Sequence, residues 1–227
     1  MSQRTVVRKA RVPSLIVAEL IIGITAATVS LFIFIELALN INALQSLDYS
    51  LSQFFITVRS PLLTQLMLVI TLFGNQVLLV LLALVSLLLV LKRHGRDAVV
   101  FVLIVGIGIA INLFMKELIA RARPDIAPLV YEKLYSFPSG HAMNAFVFYS
   151  SVALYMYRNS ARKILTRITT AMCILIIILI GISRIYLGVH YPTDVLAGLI
   201  GGFWWVVTAL VVEKSLHLYT RLFQRTA

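Results

Sequence analysis

Six apolar runs, separated by short polar segments, organise the 227 residues. The first, from about Val12 to Leu39, is long enough at 1.5 Å per helical residue to cross a hydrocarbon core of about 30 Å. The second, Leu62 to Leu91, contains 30 residues and as one straight helix would measure about 45 Å. It must tilt, project beyond the membrane or break, and Gly74-Asn75-Gln76 marks the place for a polar kink. Two full crossings would need about 40 residues, so this run predicts one span. Further spans are predicted from about Ala98 to Leu118, Gly140 to Tyr157, Ile168 to Ile182 with some extension, and Pro192 to Val212. A basic, partly amphipathic tail with Lys214, Arg221 and Arg225 follows the last. Between the first two spans, Leu44, Leu47, Leu51, Phe54, Phe55 and Val58 recur at near-helical spacing, while Asp48, Ser50, Ser52 and Gln53 take the other side. That pattern predicts a short helix lying on the membrane surface.

Composition sharpens this into an all-α, polytopic membrane protein. With 60% hydrophobic and 13% charged residues, and a mean hydropathy of +0.97, an ordinary soluble domain is excluded. The expected architecture is a bundle of six transmembrane helices with one short extracytoplasmic interfacial helix. No internal repeat or low-complexity linker divides the chain, which predicts one domain over residues 1–227. The basic N-terminus ahead of an apolar run resembles a secretory signal, but the run is too long and lacks a clear small-residue cleavage site, so it is expected to be a retained span. Within it, Glu19 is expected to face another helix or to lie shallow enough for hydration, and Glu36 to sit at the interface.

The net charge of +11 changes the picture less than it first suggests. No basic stretch is interleaved with exposed aromatics, which argues against nucleic acid as a partner. Instead 14 of the 20 Lys and Arg residues fall in the two tails and in the loops after spans two and four, so the positive-inside rule puts both termini in the cytoplasm. The single cysteine, Cys173, lies within an apolar run, which rules out an intrachain disulfide.

On the opposite face, three polar clusters stand at span ends. Lys116 and Arg123 lie seven apart, so a continuing helix would point both to one side before Pro124 stops it. Ser139 and Gly140 stand where the fourth span begins, a helix N-terminus with free N–H groups for an anion, and Gly140 allows close backbone approach. Arg184 adds a third cation at the end of the fifth span. His141 can donate a proton to a leaving alkoxide. His190 is the better nucleophile, because Asp194, four residues on, can accept its Nδ1–H and leave Nε2 free to attack phosphorus. Pro192 suits the first turn of the sixth span. Alone, Lys116 or Arg123 would read as a snorkelling residue, and Ser139-Gly140 as a simple helix start. His94 and His217 are assigned no role. Glu117, Arg121 and Asp125 are read as charge at the pocket rim, and Tyr186, Tyr191, Phe203, Trp204 and Trp205 as interfacial anchors or packing.

Taken together, Lys116-x6-Arg123-Pro124, Pro138-Ser139-Gly140-His141 and Ser183-Arg184-x5-His190-x3-Asp194 resemble, in order and spacing, the three signature motifs of the type 2 phosphatidic acid phosphatase superfamily, which also includes vanadium haloperoxidases. The resemblance implies a metal-independent, cofactor-free lipid phosphatase of the bacterial cytoplasmic membrane with its active site outside the cytoplasm. It assigns His190 to a phosphohistidine, His141 to protonation of the leaving alcohol and activation of water, and Asp194 to orientation of His190. Lys116, Arg123, Ser139, Gly140, His141 and Arg184 would form the phosphate pocket, which lipid head groups reach laterally between helices. Phosphatidylglycerophosphate is the first expected substrate, undecaprenyl pyrophosphate a close second, and phosphatidic acid a third. Membrane lipids are the expected surroundings, with no obligatory protein partner. A rival class is a transporter or scramblase in which the three cations only bind a passing head group, but the midplane discontinuities of a secondary transporter are not obvious, and binding alone does not need the His–Asp spacing.

Overall fold

The computed structural model describes residues 14–223. The tail cations Arg4, Arg8, Lys9 and Arg11, the expected start of the first span near Pro13, and Arg225 lie outside the described residues. Among the described residues eight helices run in chain order: α1 (Ser14–Leu39), α2 (Gln45–Thr57), α3 (Pro61–Leu72), α4 (Gln76–Leu91), α5 (Gly95–Ile119), α6 (Gly140–Asn159), α7 (Lys163–Tyr186) and α8 (Pro192–Phe223). No strand occurs among the described residues. Helices that close every backbone bond within themselves are one of the two solutions open to a chain in hydrocarbon. Large apolar side chains therefore stay outside, as Ile22, Phe114 and Ile164 do.

Among the described residues five stretches are long and apolar enough to cross a membrane: α1, α3 with α4, α5, α7 and α8. The counterpart of the fourth predicted span, α6, has 20 residues, about 30 Å of helix, but is not apolar enough to rank with them. The reason is its position. It packs against α5, α7 and α8, burying Ala142, Met143, Ala145, Val147, Phe148, Tyr149 and Ser151. Surrounded by protein, it tolerates hydroxyls that bond locally: Ser150 Oγ donates to Phe146 O and Ser151 Oγ to Val147 O. The last predicted span runs on as one helix well past Val212, so its tail is helical to Phe223.

The long second run does break where Gly74-Asn75-Gln76 suggested, with residues 73–75 between α3 and α4. Tyr149 Oη donates to the freed Phe73 O at 3.1 Å. The break lies against a site residue: a Cβ on Gly74 would stand 3.1 Å from His141 Cδ2 and 2.8 Å from Ile180 Cγ2. Equally close is the crossing of α8 on α6, where a Cβ on Gly198 would meet Ser139 O at 2.6 Å and one on Gly202 would meet Phe146 Cβ at 2.9 Å. This Gly-x-x-x-Gly face lets two backbones meet, and it fixes the start of α6 over the start of α8.

The short helix α2 has the amphipathic pattern expected, with Leu47, Leu51, Phe54 and Val58 exposed. Its polar side, Asp48 and Ser52, is buried against the bundle, inverting the arrangement of a soluble protein. In α1, Glu19 pairs with Lys214 of α8, which answers its charge by a neighbouring helix.

Candidate active site

The histidine and its carboxylate are set by one tight turn. α7 ends at Tyr186, and Gly188 takes φ +71°, a left-handed conformation that a side chain would resist and that a Cβ would crowd to 2.9 Å from Arg59 Nη2. The chain reverses, presents His190, and starts α8 at Pro192, whose missing N–H costs nothing in a first turn. Asp194, third residue of α8, reaches back so that Oδ2 accepts Tyr191 N–H at 2.8 Å. This is one half of a capping box, and it locks the carboxylate beside the histidine. His190 itself precedes the helix, so the two groups meet through the cap rather than along one helical face.

Nδ1 of His190 is 3.6 Å from Asp194 Oδ2, beyond hydrogen-bond reach, and Ser136 bridges the gap. Its Oγ lies 3.3 Å from Nδ1 and donates to Asp194 Oδ2. On the other side of the ring, Nε2 is 3.3 Å from Arg123 Nη1. A guanidinium has no lone pair, so Nε2 can only accept and the ring proton belongs on Nδ1. Protons then point in one direction, from Nδ1 to Ser136 Oγ to Asp194. Burial, followed by the charges of Arg184, Lys116 and Arg123, holds the His190 pKa well below the ordinary 6.5, so the ring is neutral at pH 7. Replacing Ser136 by alanine opens this chain, and Ser136→Ala is expected to lower kcat about 10- to 100-fold, read from steady-state turnover, with KM changed much less.

The second oxygen of Asp194 meets a buried network that the sequence did not announce. Arg121 Nη1 donates to Asp194 Oδ1 at 2.6 Å and Nη2 to Asp48 Oδ2 at 2.7 Å. Asp48 also accepts the backbone N–H of Thr193 at 2.9 Å and its hydroxyl at 2.6 Å, so a carboxylate from α2 covers the positive end of α8. The Arg121 guanidinium lies over the Tyr191 ring, 4.2 Å from its centroid. Arg121 is therefore no rim charge: its side chain is 8% exposed, between two carboxylates with no exposure. Glu117 and Asp125 do stay at the exposed rim.

The three cations expected from the sequence converge on the same place, by a different route. α5 does not continue to Arg123; it stops at Ile119, where Ala120 turns left-handed at φ 50°, and Arg123 arrives from the following loop. Lys116 Nζ, at the helix end, donates to Tyr135 O. Arg123 donates to Leu134 O at 2.6 Å and Val189 O at 2.7 Å, which fixes its guanidinium beside His190. Arg184 donates through Nη1 to Thr71 Oγ1 at 2.7 Å and through Nη2 to Glu132 Oε1. Its Nε is buried without a hydrogen-bond partner, as is the Oγ of Ser139. Gly140 opens α6 against α5, where a Cβ would lie 2.9 Å from Asn112 Oδ1, and the first-turn N–H groups there have no partner within the helix. His141, next in line, is near enough to feel the charges of Arg184, His190, Lys116 and Arg123. Orphaned donors, a helix start and three cations around one neutral imidazole can hold a tetrahedral anion against a nucleophile.

Ser136, Arg121, Glu132 and Thr71 were missed because none sits in a regular pattern or a motif, and Asp48 because its pattern read only as the polar side of a surface helix. Only the Asp48/Ser52 stripe on α2 carried a signal. The remaining aromatic and histidine readings stand near expectation. Tyr186 is buried with its hydroxyl within 2.9 Å of Thr64 Oγ1, Trp205 Nε1 donates to Ile104 O, and His94 pairs with Asp97 at the exposed far end.

Comparison with known proteins places this geometry. Residues 97–216 match the family model described as PAP2 superfamily. The chain is 39% identical over 178 residues to phosphatidylglycerophosphatase B of Bacillus subtilis, an alignment covering 75% of this chain and 86% of that one. It is 31% identical to an undecaprenyl-diphosphatase of Sulfolobus acidocaldarius over 57% of this chain and 62% of the relative. The crystal structure of a transmembrane PAP2 type phosphatidylglycerolphosphate phosphatase from Bacillus subtilis superposes with a TM-score of 0.79 at 34% identity, covering 83% of this chain and 96% of that one.

Proposed function

The chain belongs to the PAP2 superfamily, and from that premise we propose that it hydrolyses phosphatidylglycerophosphate to phosphatidylglycerol and phosphate in the membrane it spans. The observation that carries the proposal is the polarity of His190: Nδ1 is tied through Ser136 to Asp194, and Nε2 keeps its lone pair turned toward Arg123, with the charges of Lys116 and Arg184 close by. Nε2 attacks phosphorus as the bond to the lipid oxygen breaks, and His141 gives that oxygen a proton. Water then attacks the phosphohistidine, His141 takes the water's proton, and the P–N bond breaks to return His190 and release phosphate. The cations, with Ser139 and the Gly140 end of α6, carry the charge on the phosphoryl oxygens. A transporter or scramblase has no use for the Ser136–Asp194 chain behind the ring.

Topology follows in the same reading. All of residues 1–227 form one domain, with α6 as a sixth crossing enclosed by its neighbours. The termini lie in the cytoplasm of a bacterial cell and the site opens on the outer side of its plasma membrane, because the basic loops gather at the far end from His190.

Undecaprenyl pyrophosphate is a second reading, favoured by the likeness to an undecaprenyl-diphosphatase. Phosphate release by the purified protein from phosphatidylglycerophosphate, phosphatidic acid and undecaprenyl pyrophosphate, with EDTA present, tests both. Phosphatidylglycerophosphate is expected to turn over fastest and the chelator to change the rate less than about twofold, since no step is assigned to a metal. A faster rate on the pyrophosphate would transfer the proposal to the second substrate, and activity lost to EDTA and restored by a divalent ion would refute the metal-free mechanism.

A further inference from the structure

One acidic side chain stands among the cations without belonging to the proton chain. Glu132, on the connection between α5 and α6, bonds through Oε1 to Arg184 Nη2 and brings Oε2 to 4.0 Å from Arg123 Nη2. It spans two of the three cations on which the proposed function depends. Arg184 is 2% exposed and is held at Nη1 by Thr71, while its Nε has no partner. The two-pronged grip of a guanidinium on a phosphate uses two neighbouring N–H groups. With Thr71 on Nη1, the edge that keeps an unpartnered nitrogen is Nε beside Nη2, and Glu132 holds one of the two N–H groups of Nη2 there.

We propose that Glu132 is an internal competitor for phosphate: its carboxylate balances Arg184 in the empty site, and its negative charge at the Nη2 edge opposes a phosphoryl group held by Nε and Nη2 until it swings away. The inference rests on the phosphatase reading above and adds a residue that sets the affinity of that site for its anion. The exit is short. Glu132 is 29% exposed, and its neighbour Tyr131 is 87% exposed, so the carboxylate can swing outward without unpacking a helix. When a carboxylate holds the seat for part of the time, the apparent affinity for phosphate falls by the fraction of sites left open. The same competition speeds the departure of inorganic phosphate after hydrolysis, because Glu132 refills the contact as the product leaves. In return, the empty protein is spared a buried, unpaired guanidinium, which is costly to leave uncompensated.

The test is orthophosphate binding to the full-length protein in detergent, read as the rise in Tm with phosphate concentration and as product inhibition of turnover. Glu132→Gln is expected to bind orthophosphate about tenfold more tightly than wild type, and to melt lower without phosphate but regain the difference when it is saturated. Glu132→Asp, which keeps the charge on a shorter arm, should fall between. A side chain that only braced the loop would lower Tm in both conditions and leave phosphate affinity unchanged or weaker, and that result overturns the proposal. Wild-type protein that binds orthophosphate but hydrolyses no lipid phosphate would instead remove the functional reading, while the comparison of Glu132→Gln with wild type would still decide the competition.

Discussion

His190→Ala is expected to reduce kcat by about four orders of magnitude or more, because no other group is placed to take over a covalent step. The ring is 1% exposed and its Nε2 faces the cation cluster, so the substitution removes the attacking atom and leaves the pocket that receives phosphate. Orthovanadate should therefore still stabilise the variant against heat, which separates lost chemistry from lost folding. The sign of the pH dependence is fixed by the same environment. Burial and three nearby cations disfavour the protonated ring, so His190 stays a free base as pH falls to 6.5, and the acid limb that belongs to it lies below that value. Nitrogen chemical shifts of the labelled ring, compared with His190→Ala to assign them, give the measurement. Full activity in the variant, or a ring half-protonated near pH 7, would remove His190 from the nucleophile's role.

Arg121→Ala is expected to be the most destabilising change in the site. It leaves Asp48 and Asp194, both without solvent exposure, facing each other with no cation between them. Breaking a buried ion pair by removing one partner costs about 3–5 kcal/mol. Here a single guanidinium serves two carboxylates, so the thermal midpoint in detergent should fall by several degrees. Turnover should fall about 100-fold in protein that remains folded, since Asp194 would rotate away from Ser136. Arg121→Lys reaches one carboxylate at a time and should recover only part of each loss. Adding Asp48→Asn to Arg121→Ala removes one of the stranded charges and should restore stability without restoring rate. If Arg121→Ala melts within a degree of wild type and keeps its turnover, the network is not what holds Asp194.

The sequence resolved what repeats or what matches a motif. Apolar runs gave the helices because hydrocarbon imposes one period and one minimum length, and the three short motifs named Lys116, Arg123, Arg184 and both histidines. Distances across the chain were another matter. Nothing about Ser136 distinguishes it from any loop serine until Asp194 and His190 stand on either side of it. Arg121 looked like a rim residue because its two partners are 73 positions away in opposite directions. The helical route proposed for Lys116 and Arg123 failed at Ala120, a residue of high helix propensity that turns left-handed and ends α5. Hydropathy sets α6 apart from the other predicted spans, because it packs on other helices and its Ser150 and Ser151 hydroxyls bond to carbonyls of its own turns.

That last property bears on how the protein is made. Less apolar than the five spans, α6 depends on its packing against other helices, and it carries His141 at its first turn. Its neighbour α5 is synthesised before it, but α7 and α8, which cover most of its surface, emerge afterwards. The cluster of Lys116, His141, Arg184 and His190 is therefore complete only once the C-terminal pair has packed onto α6.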